Sequence, residues 1–122
     1  MKIISDFSKD IRQPRHTPGG YQWWYFDGVS LEDRFSFVVI LYEGNPFSTR
    51  YNGALVADIN PSPVDYPAIS ISIYDQGKPI YYSFTEFDKE ECYFHEEKPH
   101  VKIGDHKMRG AFKDGQLQYE LQ

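Results

Sequence analysis

Two carboxylates close the two most aromatic and apolar stretches of this chain. Asp27 follows Tyr21-Gln22-Trp23-Trp24-Tyr25-Phe26, and Glu43 follows Phe35-Ser36-Phe37-Val38-Val39-Ile40-Leu41-Tyr42. A carboxyl group held among apolar side chains keeps its proton to higher pH than in water and can deliver it to a substrate. Aromatic ring faces stabilise a nearby cation through their quadrupole. Each carboxylate also has a plainer reading. Asp27-Gly28 is a common chain-reversal pair, and Glu43-Gly44-Asn45 reads more simply as the polar end of a strand.

Other chemistry-bearing residues offer less. His95, His100 and His106 lie close together with Glu96 and Glu97, but their spacing matches no standard metal-ligand pattern. Pro99 and the charged neighbours make that region read as an exposed loop, so no metal is expected. His16, beside Arg15 and before Thr17-Pro18, reads as an arm residue. Cys92 has no recognisable base beside it, and as the single cysteine it can form no internal disulfide. The chain carries no glycine-rich phosphate loop and no Gly-x-Ser-x-Gly elbow, and no cofactor is expected.

The elements that must position the two carboxylates are strands. In a strand successive side chains alternate between faces, so Tyr21, Trp23, Tyr25 and Asp27 share one face and Gln22, Trp24 and Phe26 the other. One tryptophan must then be core, and the other contacts a ligand or a second domain. A second strand, 34–43, carries Phe35, Phe37, Val39 and Leu41 on one face, and returns Glu43 to the Tyr21 end, far from Asp27. Glycines and prolines interrupt 44–65, with a short strand expected over Ala54 to Ile59. Ala68 to Tyr74 alternates isoleucine with serine, turns at Asp75-Gln76-Gly77-Lys78 and returns through 80–87, with Ser70 and Ser72 on a wet side. Shorter strands are expected at 100–103, 107–112 and 116–121, the last two joined by an Asp-Gly turn. No window shows a sustained helical stripe. The expectation is an all-β antiparallel up-and-down barrel or strongly bent meander, incomplete at its C-terminus, where an alternating segment would leave an open edge.

Composition narrows the partners. A net charge of −5 with no Lys/Arg run excludes a nucleic-acid binder of the usual basic kind. No apolar run approaches the length of a membrane span and no signal peptide is seen, so the expected location is cytoplasmic or peripheral to a membrane. Aromatic residues make up 17% of the chain, enough to line a ligand cavity as well as to pack a sheet.

The run Gly19-Gly20-Tyr21-Gln22-Trp23-Trp24-Tyr25-Phe26-Asp27, followed by Tyr42-Glu43-Gly44-Asn45-Pro46-Phe47-Ser48, resembles the carotenoid 1,2-hydratase (hydroxyneurosporene synthase) family. That family belongs to a wider set of lipocalin-like proteins that includes the AttH-like proteins. The resemblance runs over about residues 18–122 and implies an arm at 1–18, then a lipocalin-like barrel at 19–122 that is the first of two. It implies a hydrophobic partner (an isoprenoid, a carotenoid or a fatty acid) and a second barrel or a dimer mate. The implied activity is hydratase chemistry, in which an alkene is protonated and the tertiary cation captures water. Asp27 and Glu43 would be the candidate acids, and Tyr21, Trp23, Trp24, Tyr25 and Phe47 the ligand contacts. The residues alone leave open a non-catalytic lipocalin-like module for a hydrophobic ligand, and a structural half that docks a second barrel.

Overall fold

Aromatic and β-branched residues in alternation build eight strands among the described residues, in two sheets. The structure, a computed structural model, describes Arg12 and residues 17–57 and 59–122. The arm expected over 1–18, with His16, therefore lies outside the described residues except for Arg12, Thr17 and Pro18. The first sheet holds β1 (Gln22–Val29), β2 (Phe35–Glu43), β3 (Ala68–Asp75) and β4 (Lys78–Glu86), antiparallel in that order. The second holds β5 (Cys92–Phe94), β6 (His100–Ile103), β7 (His106–Lys113) and β8 (Gln116–Leu121), likewise in sequence order.

Register decides which side chains meet. Trp24, Leu41 and Ile69 lie abreast on one face of the first sheet, and Phe26, Val39 and Ile71 form the next row. That face packs on Phe94, Val101, Ile103 and Met108 of the second sheet, and these residues make the core. Trp24 stacks on Phe94 at 5.8 Å between ring centroids. Each such side chain withdrawn from water contributes about 1.5–3 kcal/mol, so this inter-sheet contact supplies most of the stability. Two hairpins close through consecutive left-handed residues, Gln76-Gly77 (φ +48° and +80°) and Asp114-Gly115 (φ +52° and +75°). Turns of that kind match the twist of the strands they join.

The fold is all-β, as the alternation predicts, and each sheet is an up-and-down meander. Of the two expected forms, barrel or bent meander, no closed barrel is seen among the described residues: no strand pair there joins the two sheets, so they form a two-layer stack. The strand expected at 54–59 is instead the end of a helix, α1 (Thr49–Val56). Ser48 caps it, its hydroxyl accepting the Tyr51 N–H at 3.1 Å, and the buried Tyr51 hydroxyl donates to the Gly20 carbonyl at 2.7 Å. A local cap and one buried tyrosine outweigh the weak strand signal. Nor is Asp27-Gly28 a turn: β1 continues to Val29, and the chain reverses at 30–34, where Asp33 takes φ +55°. Gly28 serves packing, since a Cβ there would lie 2.8 Å from the Phe37 ring. The short strand β5 was not anticipated; His100 opens the strand expected at 100–103, and β7 takes in His106 one residue before its expected start.

Candidate functional site

The outward face of the first sheet is aromatic and exposed. Tyr21 stacks on Trp23 at 5.4 Å, and Trp23 meets Tyr42 edge-on at 6.3 Å. Tyr42 in turn touches Phe84 at 5.8 Å and Phe47 at 6.3 Å. All these separations fall where ring quadrupoles attract. Tyr42 is buried beneath its neighbours, and that burial, with Tyr82 nearby, raises its hydroxyl pKa above the ordinary tyrosine value. Trp23 and Tyr25 are each 52% exposed, Phe47 69%. Ser70, expected on a wet side, is buried between Ile40 and Phe84 in adjoining strands. A contiguous exposed apolar patch of this kind marks a surface that meets something else.

Four of the five anticipated ligand contacts, Tyr21, Trp23, Tyr25 and Phe47, therefore share one surface. Trp24 does not. It points into the core, as the alternation demands once Trp23 faces out. Asp27 lies on the aromatic face two residues beyond Tyr25, exposed, with the Tyr25 hydroxyl 3.5 Å from its Oδ2.

Phe47 is held over this face by a buried polar node. Asn45 is fully buried; its Oδ1 accepts the Phe47 N–H at 3.0 Å and its Nδ2 donates to Glu86 at 3.4 Å. Gly44 precedes it at φ +74°, and a Cβ there would sit 2.6 Å from the Gly20 carbonyl oxygen. Only glycine fits such a left-handed close approach. The run Glu43-Gly44-Asn45-Pro46-Phe47-Ser48 thus turns β2 into α1 while presenting one aromatic ring.

Glu43 plays a different part from Asp27. It faces the inner side, fully buried, and the Arg12 guanidinium grips both carboxylate oxygens, with Nε at 3.0 and 2.8 Å. Gln22 Nε2 adds a bond at 2.7 Å, and the guanidinium lies 5.7 Å from the centre of the Phe94 ring. The hydrogen bond to Glu43 raises the Arg12 pKa above its ordinary value against the opposing effect of burial. Nothing in the sequence pointed to Arg12, because ion pairs between segments 31 residues apart leave no local signature. Gln22 pairs with Glu43 in register, and Asp27 pairs with Val38. Five residues of strand, about 17 Å, and opposite faces separate the two carboxylates, too far to act on one bond.

The histidines do not converge. His95 and His100 rings are 5.6 Å apart, but His95 Nδ1 accepts the N–H groups of Glu97 and Lys98, and His106 lies against Phe87. Among the described residues no group of three or more His, Cys, Asp and Glu side chains could hold a metal. Burial pushes the Cys92 thiol up to about 11, which leaves it inert as a nucleophile at neutral pH. On the inner face a cleft of about 510 Å³ opens beside Phe35, Phe37, Ile71, Ile73 and Leu121. Alternation puts Ile73 on the dry side opposite Ser70 and Ser72, yet sheet packing leaves that end uncovered. Among the described residues no helix is long and apolar enough to cross a membrane.

Part of the chain is similar in sequence to known proteins. The chain is 32% identical over 84 residues to a hydroxyneurosporene dehydrogenase of Chlorobaculum tepidum, a match covering 64% of this chain and 22% of that protein. It is 37% identical over 63 residues to an acyclic carotenoid 1,2-hydratase of Thiocapsa roseopersicina, covering 52% of this chain and 15% of that protein. A second acyclic carotenoid 1,2-hydratase, of Rubrivivax gelatinosus, is 41% identical over 64 residues, 50% of this chain and 16% of its own length. No protein-family profile matches the chain, and no solved structure does. The resemblance to carotenoid 1,2-hydratases noted in the sequence is therefore real over about half of the chain, and the matched segments span about a fifth or less of the relatives.

Proposed function

We propose, from that kinship, that this chain supplies the substrate-facing aromatic surface of a carotenoid 1,2-hydratase-like protein. The observation that carries the reading is the exposed face of Tyr21, Trp23, Tyr25 and Phe47 with Asp27 at its end. An acyclic polyene laid along β1 would run over Tyr21, Trp23 and Tyr25 and bring one end to the aspartate. Six residues of strand, about 20 Å, separate Tyr21 from Asp27, enough to hold a long isoprenoid segment in ring contact.

In this reading the Asp27 carboxylic acid gives its proton to the terminal trisubstituted alkene. The electron pair of the double bond forms the new C–H bond and leaves a tertiary carbocation, which the Tyr25 ring stabilises. Water adds to the cation and returns a proton to the carboxylate. A carboxyl group becomes a competent acid for this step only out of water. Asp27 is exposed, so the reading places a covering layer over the face: the polyene itself, and a second lipocalin-like domain or dimer mate beyond it. Glu43, clamped by Arg12 and Gln22, is assigned a holding role in this scheme.

The test is incubation with an acyclic carotenoid and mass spectrometry for the water adduct, in wild type and Asp27→Asn. Loss of the adduct by about 100-fold or more with binding retained supports the scheme. An equally active Asp27→Asn protein would remove Asp27 from it. The inner cleft favours a second reading, a non-catalytic module for a fatty acyl or similar chain, because no acid lines it.

A further inference from the structure

The second sheet turns a different chemistry to solvent. Lys102, Lys107, Arg109 and Lys113 occupy the outward positions of β6 and β7, all exposed. Lys102 lies directly opposite Lys107, and Arg109 opposite His100. None of the four cations has an ion-pair partner among the described residues, in a chain whose net charge is −5. The acids of this half stand mostly in its turns, at Glu96, Glu97, Asp105 and Asp114, and only Glu120 shares the face, opposite Arg109. Shallow depressions of about 160 and 390 Å³ lie between the cations. At His100, burial first and then His95, Lys98 and Arg109 lower the imidazole pKa, as a positive local potential requires.

We propose that this sheet face docks on the anionic surface of a phospholipid bilayer. The cations do not converge on one point, as they would for a single phosphate. From Lys107 to Lys113 they spread over six residues of strand, about 20 Å, and across the neighbouring strand at about 4.8 Å, a flat array that complements a plane of negative headgroups. Tyr93, 59% exposed beside Lys102, has the amphipathic ring that suits headgroup depth. Single-stranded nucleic acid would need a series of ring platforms along the cations, whereas the rings here, Tyr93, His95 and His100, cluster at one end of the array. The aromatic face of the first sheet points the other way, so both surfaces can be occupied at once. The docking stands on charge placement and does not depend on the hydratase reading.

Cosedimentation of the chain with phosphatidylcholine vesicles containing about one third phosphatidylglycerol tests it, with no polyene present. The expected result is binding to these vesicles and not to pure phosphatidylcholine, abolished in roughly 1 M salt, where charges are screened within ~3 Å. Replacing Lys102, Lys107 and Arg109 together by Gln is expected to lower the partition coefficient roughly 100-fold with an unchanged circular dichroism spectrum, while Lys78→Gln leaves it within about twofold. Equal binding to neutral vesicles, no binding to either, or full binding by the triple variant would overturn the proposal. So would preference for single-stranded RNA over the vesicles, which would reassign the face.

Discussion

Replacing Glu43 by Gln keeps the side-chain volume and removes the charge, and the structure sets the size of the penalty. The Glu43 side chain is 1% exposed and that of Arg12 11%, so neither can turn to water. The substituted amide would retain one oxygen for the Arg12 and Gln22 donors and point an N–H group at the rest. A buried guanidinium left without its counter-charge costs about 3–5 kcal/mol. Against a total of roughly 5–15 kcal/mol for a domain this size, that is about a fifth of the stability or more. The expected fall in Tm is on the order of 10–20 °C. Arg12→Met is expected to cost about the same, because it strands the carboxylate. Arg12→Met with Glu43→Leu removes both charges and is expected to lie within about 1–2 kcal/mol of wild type, giving a coupling of at least ~2 kcal/mol. Urea denaturation followed by circular dichroism measures all four corners, with salt having little effect on a buried pair. Single variants each costing less than about 1 kcal/mol, and adding up in the double, would refute the buried clasp.

The two tryptophans are expected to separate cleanly: Trp24→Ala costs about 3–5 kcal/mol in urea denaturation, whereas Trp23→Ala, on the exposed face, costs about 1 kcal/mol or less. Cys92, held near 11, is expected to react with a disulfide reagent at pH 8 about 100-fold more slowly in the folded chain than in urea, as thiol-labelling rates would show. For His100 the folded pKa lies below 6.5, chiefly through burial, so folding favours the neutral ring. Its contribution to stability is complete above pH ~6.5 and is lost as pH falls through the lower folded value, and His100→Gln is expected to flatten the denaturation midpoint across that range.

Much of the fold was legible because strands advertise themselves by period two. Phe35, Phe37, Val39 and Leu41 could share only one face, and Ile69, Ile71 and Ile73 only one face of their strand, although that these two strands pair was not legible. Trp23 and Trp24 were assigned opposite fates by the same rule. What stayed hidden depended on distant partners. The helix at Thr49–Val56 rests on a Ser48 cap and a tyrosine reaching back to Gly20, neither visible as a pattern. Gly28 next to Asp27 imitates a turn, yet it is there to make room for Phe37. Arg12 finds Glu43 across 31 residues, and the cations at 102, 107, 109 and 113 are too widely spaced in sequence to form a run, so only the sheet gathers them.

The claim at the centre is that the outward aromatic face receives an apolar polyene. Titrating the chain with an acyclic carotenoid delivered from detergent micelles, and following the shift of the carotenoid absorption band, tests it directly. The predicted result is saturable binding, weakened by about tenfold or more in Trp23→Ala with Tyr25→Ala and unchanged in Ile73→Ala, which alters only the inner cleft. No saturable binding would contradict the claim. Loss in Ile73→Ala with binding intact in the aromatic pair would contradict it as well, and would move the ligand to the space between the sheets.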